Sequence, residues 1–160
     1  MNRRQIALKL VLAELDVPAT MDSFGDRLIL QKAVYLAQQA GIPLGYHFCW
    51  YLRGPYSRDL TADAYSTLSE TPAGWTLGEA LRQKLARLSD FMRQLKAEPD
   101  PVKAYELLAS VLFSVNTGQA QVGDCGRITQ LMRAAGKDFT QEEVNGAVQR
   151  LRTHSFLPAA

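Results

Sequence analysis

One stretch breaks the helical rhythm of this chain and so limits its fold more than any other: Gly45-Tyr-His-Phe-Cys-Trp-Tyr-Leu-Arg-Gly-Pro-Tyr-Ser57. Within it Tyr46, Phe48, Trp50 and Leu52 alternate with His47, Cys49, Tyr51 and Arg53. Alternation at period 2 predicts a short extended segment or β-hairpin near residues 46–53, with the first four side chains on one face and the second four on the other. Gly54-Pro55 then interrupts it, because proline fixes φ and disfavours the right-handed helical region for the residue before it. Ser57 is a suitable cap for a helix beginning Arg58-Asp59-Leu60. The aromatics in such a segment either fill a small core around a kink or form an aromatic-plus-arginine patch for a partner.

Everything else follows helical spacing. Residues 3–15 carry Ile6, Leu10 and Ala13 on one stripe, with Leu8, Val11, Leu12 and Leu15 beside it. Asp16-Val-Pro18 stops that helix, and Ser23 or Asp22 caps the next, about Phe24 to Ala40, which Gly41 and Pro43 end. Lys32 and Tyr35 stand on neighbouring positions of this apolar helix, where a snorkelling lysine and a core-edge tyrosine are the plainer reading. A helix over Arg58 to about Leu68 repeats Leu60, Ala64 and Leu68. Thr76-x-x-Glu79 reads as a capping box opening an unbroken helix over 76–97, with Leu81, Leu85, Leu88, Met92 and Leu95 facing the core. Its basic face, with Arg82, Lys84, Arg87, Arg93 and Lys96, reads as solvated surface.

Pro99-Asp100-Pro101 makes a tight turn into a helix over 101–115, the least charged and so the one expected to be most buried. Asp124 caps a short helix ending at Gly136, and Thr140-x-x-Glu143 opens a last one through Leu151. Residues 154–160 read as a frayed tail. The expected fold is mainly α: one domain over 1–160, a single compact bundle of about seven helices with one short extended segment or hairpin.

Composition narrows the function classes. Hydrophobic residues at 47% with 21% charged exclude a disordered chain. A net charge of +2, from 18 basic and 16 acidic side chains, is too small to argue for nucleic acid by itself. Lys9 and Glu14 interrupt Ile6 to Leu15 as no secretory signal would allow, no apolar run reaches membrane-spanning length, and two widely separated cysteines fit reduced thiols; a cytoplasmic protein is expected, with no membrane partner.

Catalytic motifs are lacking. His47 and Cys49 would share a strand face, but two ligands do not make a metal site and no third group orients a nucleophile. No phosphate-binding glycine loop is present. The chain is therefore expected to be no enzyme and to hold no metal or cofactor. One segment suggests nucleic acid: residues 124–152 read as helix, turn, helix, with Arg127, Arg133, Arg150 and Arg152 available for phosphates. Gln141-Glu142-Glu143 would oppose phosphate at the start of the second helix, so an αα-hairpin closing the core is the plainer account.

Leu30-Gln31-Lys32 with Tyr35, Ala37 and Gln38, then Gly41, then an aromatic strand with Trp50 and the Gly54-Pro55 break, resembles the SocA-like Panacea domain and its YwgA-like relatives over residues 24–65. Three residues stand between Trp50 and Gly54, and Tyr56 follows Gly-Pro; both features fit the YwgA-like branch better than the antitoxin branch. The resemblance implies a mainly helical protein that acts as an antitoxin does, neutralising a toxin or other effector by direct contact. The residues expected to meet a protein partner are Lys32, Tyr35, Tyr51, Arg53 and Tyr56, with Trp50, Gly54 and Pro55 holding the local shape. A nucleic-acid-binding accessory role for 124–152 is the alternative.

Overall fold

The structure is a computed structural model, and it describes residues 1–159. In chain order the elements are α1 (Arg3–Glu14), α2 (Phe24–Gln39), β1 (Cys49–Tyr51), β2 (Gly54–Tyr56), α3 (Arg58–Ser66), α4 (Glu79–Lys96), α5 (Pro101–Asn116), α6 (Cys125–Ala134) and α7 (Gln141–Thr153). The protein is mainly α, and its strands among the described residues form a two-stranded antiparallel hairpin.

The helix starts are chemically explicit. Ser23, Ser57, Asp100, Asp124 and Thr140 each accept a hydrogen bond from a backbone N–H in the first turn of the helix that follows. These bonds satisfy donors that would otherwise have no partner inside the helix. Thr76 is the exception and corrects the expected boundary. Helix α4 begins at Glu79, with Gly78 as its cap and no side-chain bond to its first amides. A capping box at Thr76 would require Gly78 in the first helical turn, where glycine loses the most conformational entropy. Beyond that start α4 is uninterrupted; Leu85, Leu88, Met92 and Leu95 are buried, Leu81 is half-buried, and Phe91 joins the buried face.

Helices α2 and α5 form the centre, each burying nine of its sixteen residues. Helix α7 and α4 flank α5, α1 lies on α4, α6 lies on α7, and the hairpin sits across α2 and α5. Two expected faces need correction. In α1 the buried set is Leu8, Val11 and Leu12, continued by the cap residue Leu15, while Ala13 is exposed, because α4 covers only that side of the helix. The segment after α7 is anchored as far as Leu157: His154 and Phe156 lie with ring centroids 4.5 and 5.2 Å from that of Phe91, and Leu157 is buried. Apolar contact with α4 outweighs the freedom expected of a tail. Among the described residues no helix is long and apolar enough to cross a membrane.

Candidate functional site: a groove beneath the hairpin

The hairpin pairs Cys49 with Tyr56, Trp50 with Pro55 and Tyr51 with Gly54. The predicted alternation holds as far as Tyr51. Tyr46 is buried and Phe48 and Trp50 are half-buried on the core side, while His47, Cys49 and Tyr51 are exposed. Leu52 departs from it, at 75% exposure, because the strand ends at Tyr51 and Leu52-Arg53 make the turn. The alternation belongs to extended backbone and lapses where the chain reverses.

Gly54 and Pro55 stand inside β2, just after the turn. Gly54 takes φ +93°, a conformation that side-chain-bearing residues rarely adopt. Any β-carbon there would also collide with the hydroxyl of Ser110 on α5. The close approach is therefore backbone to helix, and it leaves Ser110 Oγ buried with no hydrogen-bond partner among the described residues.

Three side chains of α2 hold the hairpin's backbone. Gln31 donates to Ser57 O at 2.8 Å and accepts from Ser57 N at 2.9 Å. Gln38 donates to Tyr46 O at 2.9 Å and accepts from Tyr46 N at 2.8 Å. Each glutamine thus offers the paired donor and acceptor that a neighbouring strand would offer. Between them Lys32 Nζ donates to Pro55 O at 2.7 Å. Gln31, Lys32 and Gln38 therefore have a concrete local task.

A charged cluster lies under the turn. Lys137, on the α6–α7 connection, donates to Glu106 Oε1 and to Leu52 O, both at 2.8 Å. Arg53 Nη1 lies 3.7 Å from the second oxygen of Glu106, and Lys137 Nζ is 5.6 Å from the centre of the Trp50 ring. Lys32, Glu106 and Lys137 are all buried. The pKa of Lys32 is lowered to about 7, first by burial and then by repulsion from Lys137, with Glu106 acting in the opposite direction.

Beside this cluster runs a groove of about 560 Å³ between the hairpin, α2 and α3. Phe24, Tyr51, Tyr56 and Tyr65 supply aromatic walls; Arg27, Lys32 and Arg53 supply cationic groups, and among the described residues no carboxylate lines it. The Arg53 guanidinium lies 5.5 Å from the Phe24 ring centroid, within cation–π range, and the rings of Tyr51 and Tyr56 are 5.3 Å apart. A smaller cavity of about 230 Å³ lies between the α1–α2 connection and α4; its acids Asp16 and Asp26 match its bases Arg93 and Lys96 in number.

The structure thus brings Lys32, Tyr51, Arg53 and Tyr56 to one groove. Lys32 and Tyr35 differ from expectation in exposure, at 2% and 3%. Helix α2 is central, so Tyr35 offers no free contact surface and Lys32 only the small part that lines the groove floor; Lys32 bonds the hairpin, and Tyr35 packs on Phe48 and Phe113. Burial raises the Tyr35 pKa above the ordinary tyrosine value. Trp50 stacks on Phe113 with centroids 5.6 Å apart and so supports the hairpin from below.

Sequence reasoning passed over Phe24, Tyr65, Glu106 and Lys137. Tyr65 had a signal, since it falls off the Leu60–Ala64–Leu68 stripe as an aromatic on a polar face. Glu106 had one too, as an isolated acid in the least charged helix. Lys137 had none.

At the other candidate segment two of the four arginines are engaged within the fold. Arg150 donates to Glu98 at 2.8 Å and Arg152 to Pro158 O at 3.2 Å, while Arg127 and Arg133 are exposed. Among the described residues no group of three or more His, Cys, Asp or Glu is arranged to hold a metal ion. No protein family, curated protein or solved structure matches the chain.

Proposed function

We propose that this chain is a protein-binding module that acts by direct contact through the hairpin groove. The biological role we assign to it is that of an antitoxin-like or accessory protein of a bacterial defence or stress system, as the resemblance of residues 24–65 implies. The observation that carries the reading is the clustering of Phe24, Tyr51, Leu52 and Tyr65, each about half exposed or more, around an arginine at the rim of one groove. Large apolar side chains gathered on a surface favour a partner, whereas the same side chains scattered singly need no explanation. Tyrosine and arginine are also the residues that dominate interface energetics, because they combine broad contact area with directed hydrogen bonds.

Within this reading Tyr51, Arg53 and Tyr56 make the contact. Lys32 and Tyr35 act from beneath, by fixing the hairpin and its aromatic support. The nucleic-acid alternative draws less support, because Arg150 and Arg152 are spent inside the fold and Glu142 and Glu143 stand in the first turn of α7.

The test uses the protein products of the flanking genes as candidate partners, with binding and melting measured on the same purified Arg53→Ala protein. Arg53 is 60% exposed and its contact with Glu106 is long, so its loss should change stability by no more than about 0.5 kcal/mol. Partner binding should weaken by about 1–2 kcal/mol. Arg53→Lys should not restore it, since an ammonium cannot reproduce the planar fork. A destabilised Arg53→Ala protein whose folded fraction binds its partner unchanged would refute the proposal.

A further inference from the structure

Resting on the protein-binding reading, we propose that the groove accepts an acidic side chain of the partner, flanked by an aromatic or aliphatic residue, and that its carboxylate completes a buried charge set now one anion short. The charge count carries this. Two lysines, Lys32 and Lys137, are buried under the hairpin, and the buried carboxylate of Glu106 bonds only one of them. Among the described residues Lys32 bonds a single neutral carbonyl, leaving two of its three N–H directions unspent. A buried cation without a counter-charge is costly, and an arriving carboxylate removes that cost.

The walls specify the rest. Arg27 spends one donor on Met21 O, and Arg53 lies over the Phe24 ring and at long range from Glu106, so both retain donors for a carboxylate at the mouth. With Phe24, Tyr51, Tyr56 and Tyr65 around the groove, an apolar neighbour of the acid is covered as the acid is neutralised. One cation on the floor and two at the mouth suit a compact carboxylate better than a phosphodiester track, which needs cations repeated along a path.

The same geometry couples binding to protons. The charged and titratable groups around Lys32 are Glu106 from α5, Lys137 from the α6–α7 connection, Arg53, Tyr51 and Tyr56 from the hairpin, Arg27 from α2 itself and Tyr65 from α3. Lys32, lowered to about 7, is placed to respond near neutral pH. An incoming carboxylate favours its charged form, so binding near neutral pH takes up protons and weakens as pH rises.

The experiment titrates the full chain with capped hexapeptides holding one phenylalanine between aspartate and glutamate, and with their asparagine and glutamine counterparts. Calorimetry at pH 7.5 in phosphate and in Tris reads the protons exchanged on the wild-type protein, whether or not variants fold. The acidic set should bind at least about tenfold tighter than the amide set, with net proton uptake that Lys32→Met abolishes. Equal affinity of the two sets, or no binding of either at millimolar concentration, overturns the acidic inference. The protein-binding reading would then still rest on the Arg53 result with the flanking-gene proteins. Acid-selective binding without proton uptake overturns the role of Lys32. Tighter, steeply salt-dependent binding of a deoxythymidine oligonucleotide at this groove overturns both.

Discussion

Helix α2 meets the hairpin through hydrogen-bonding side chains, whereas α4 meets the core through a seam of Leu85, Leu88, Phe91, Met92 and Leu95. Both junctions are buried, yet they are specified differently. The seam needs only apolar volume at helical spacing, so many side chains would serve at each position. The hairpin junction needs particular donors and acceptors, because an unpartnered polar group in the interior costs more than a missing contact. Apolar packing fixes where the helices lie; the polar junction fixes the shape of one surface loop to the atom. That is what the proposed recognition surface would require, and the unspent cations lie on the same side.

The contrast can be broken at three points. The largest effect is expected at the charged cluster. Glu106→Ala removes the only carboxylate bonded to Lys137 among the described residues and leaves a buried ammonium uncompensated. A loss of about 3–5 kcal/mol in denaturant unfolding is expected; a loss below about 1 kcal/mol would mean that water relieves the cluster and that the polar junction is looser than described. Leu88→Ala tests the opposite junction. Leu88 is 4% exposed in the α4 seam, and its truncation should cost about 2–5 kcal/mol. This loss should spare the hairpin groove, so the folded fraction of Leu88→Ala should bind a partner normally.

The smallest effect is one of pH. The folded-state pKa of Lys32 lies below its unfolded value, about 7 against 10.5. The unfolded chain therefore binds more protons across that interval, and the Lys32 contribution to stability rises with pH there, by less than about 1.4 kcal/mol per pH unit. Below pH 7 both states carry the proton and the contribution is flat. The raised pKa values of Tyr35, Tyr46 and Tyr105 act with the opposite sign, but only as the pH passes the ordinary tyrosine value. Unfolding free energies between pH 7 and 9 should rise for the wild type relative to Lys32→Met; parallel profiles would show that Lys32 keeps its proton.

The helices were legible because their signals are local. A cap and the amides it satisfies lie within one turn, and an apolar stripe is read from the spacing alone. Thr76 misled because Gly78 changes the cost of the same four-residue pattern. The site was legible only in outline. Tyr51, Arg53 and Tyr56 stand close together in sequence and share a groove, but Lys32 was assigned the wrong environment. Sequence shows that a lysine sits on an apolar helix; it does not show that a carbonyl 23 residues further on will receive it. Lys137, 85 residues beyond the Leu52 carbonyl it bonds, was invisible for the same reason.

The two glutamine brackets on α2 have one more consequence. Gln31 holds the chain where the hairpin finishes and Gln38 where it starts, seven positions apart on the helix. Seven residues make two turns and about 10.5 Å of rise, so both amides leave the same side of the helix. The helix thereby works as a gauge: the width of the hairpin's base is counted in α-helical residues. Deleting a single residue between the two glutamines would swing one amide by about 100° and shift it by about 1.5 Å. The segment between Ala40 and Tyr46 is pinned as well, by buried Ile42 and Leu44, but the interval from Gln31 to Gln38 is the one that sets the spacing of the two brackets.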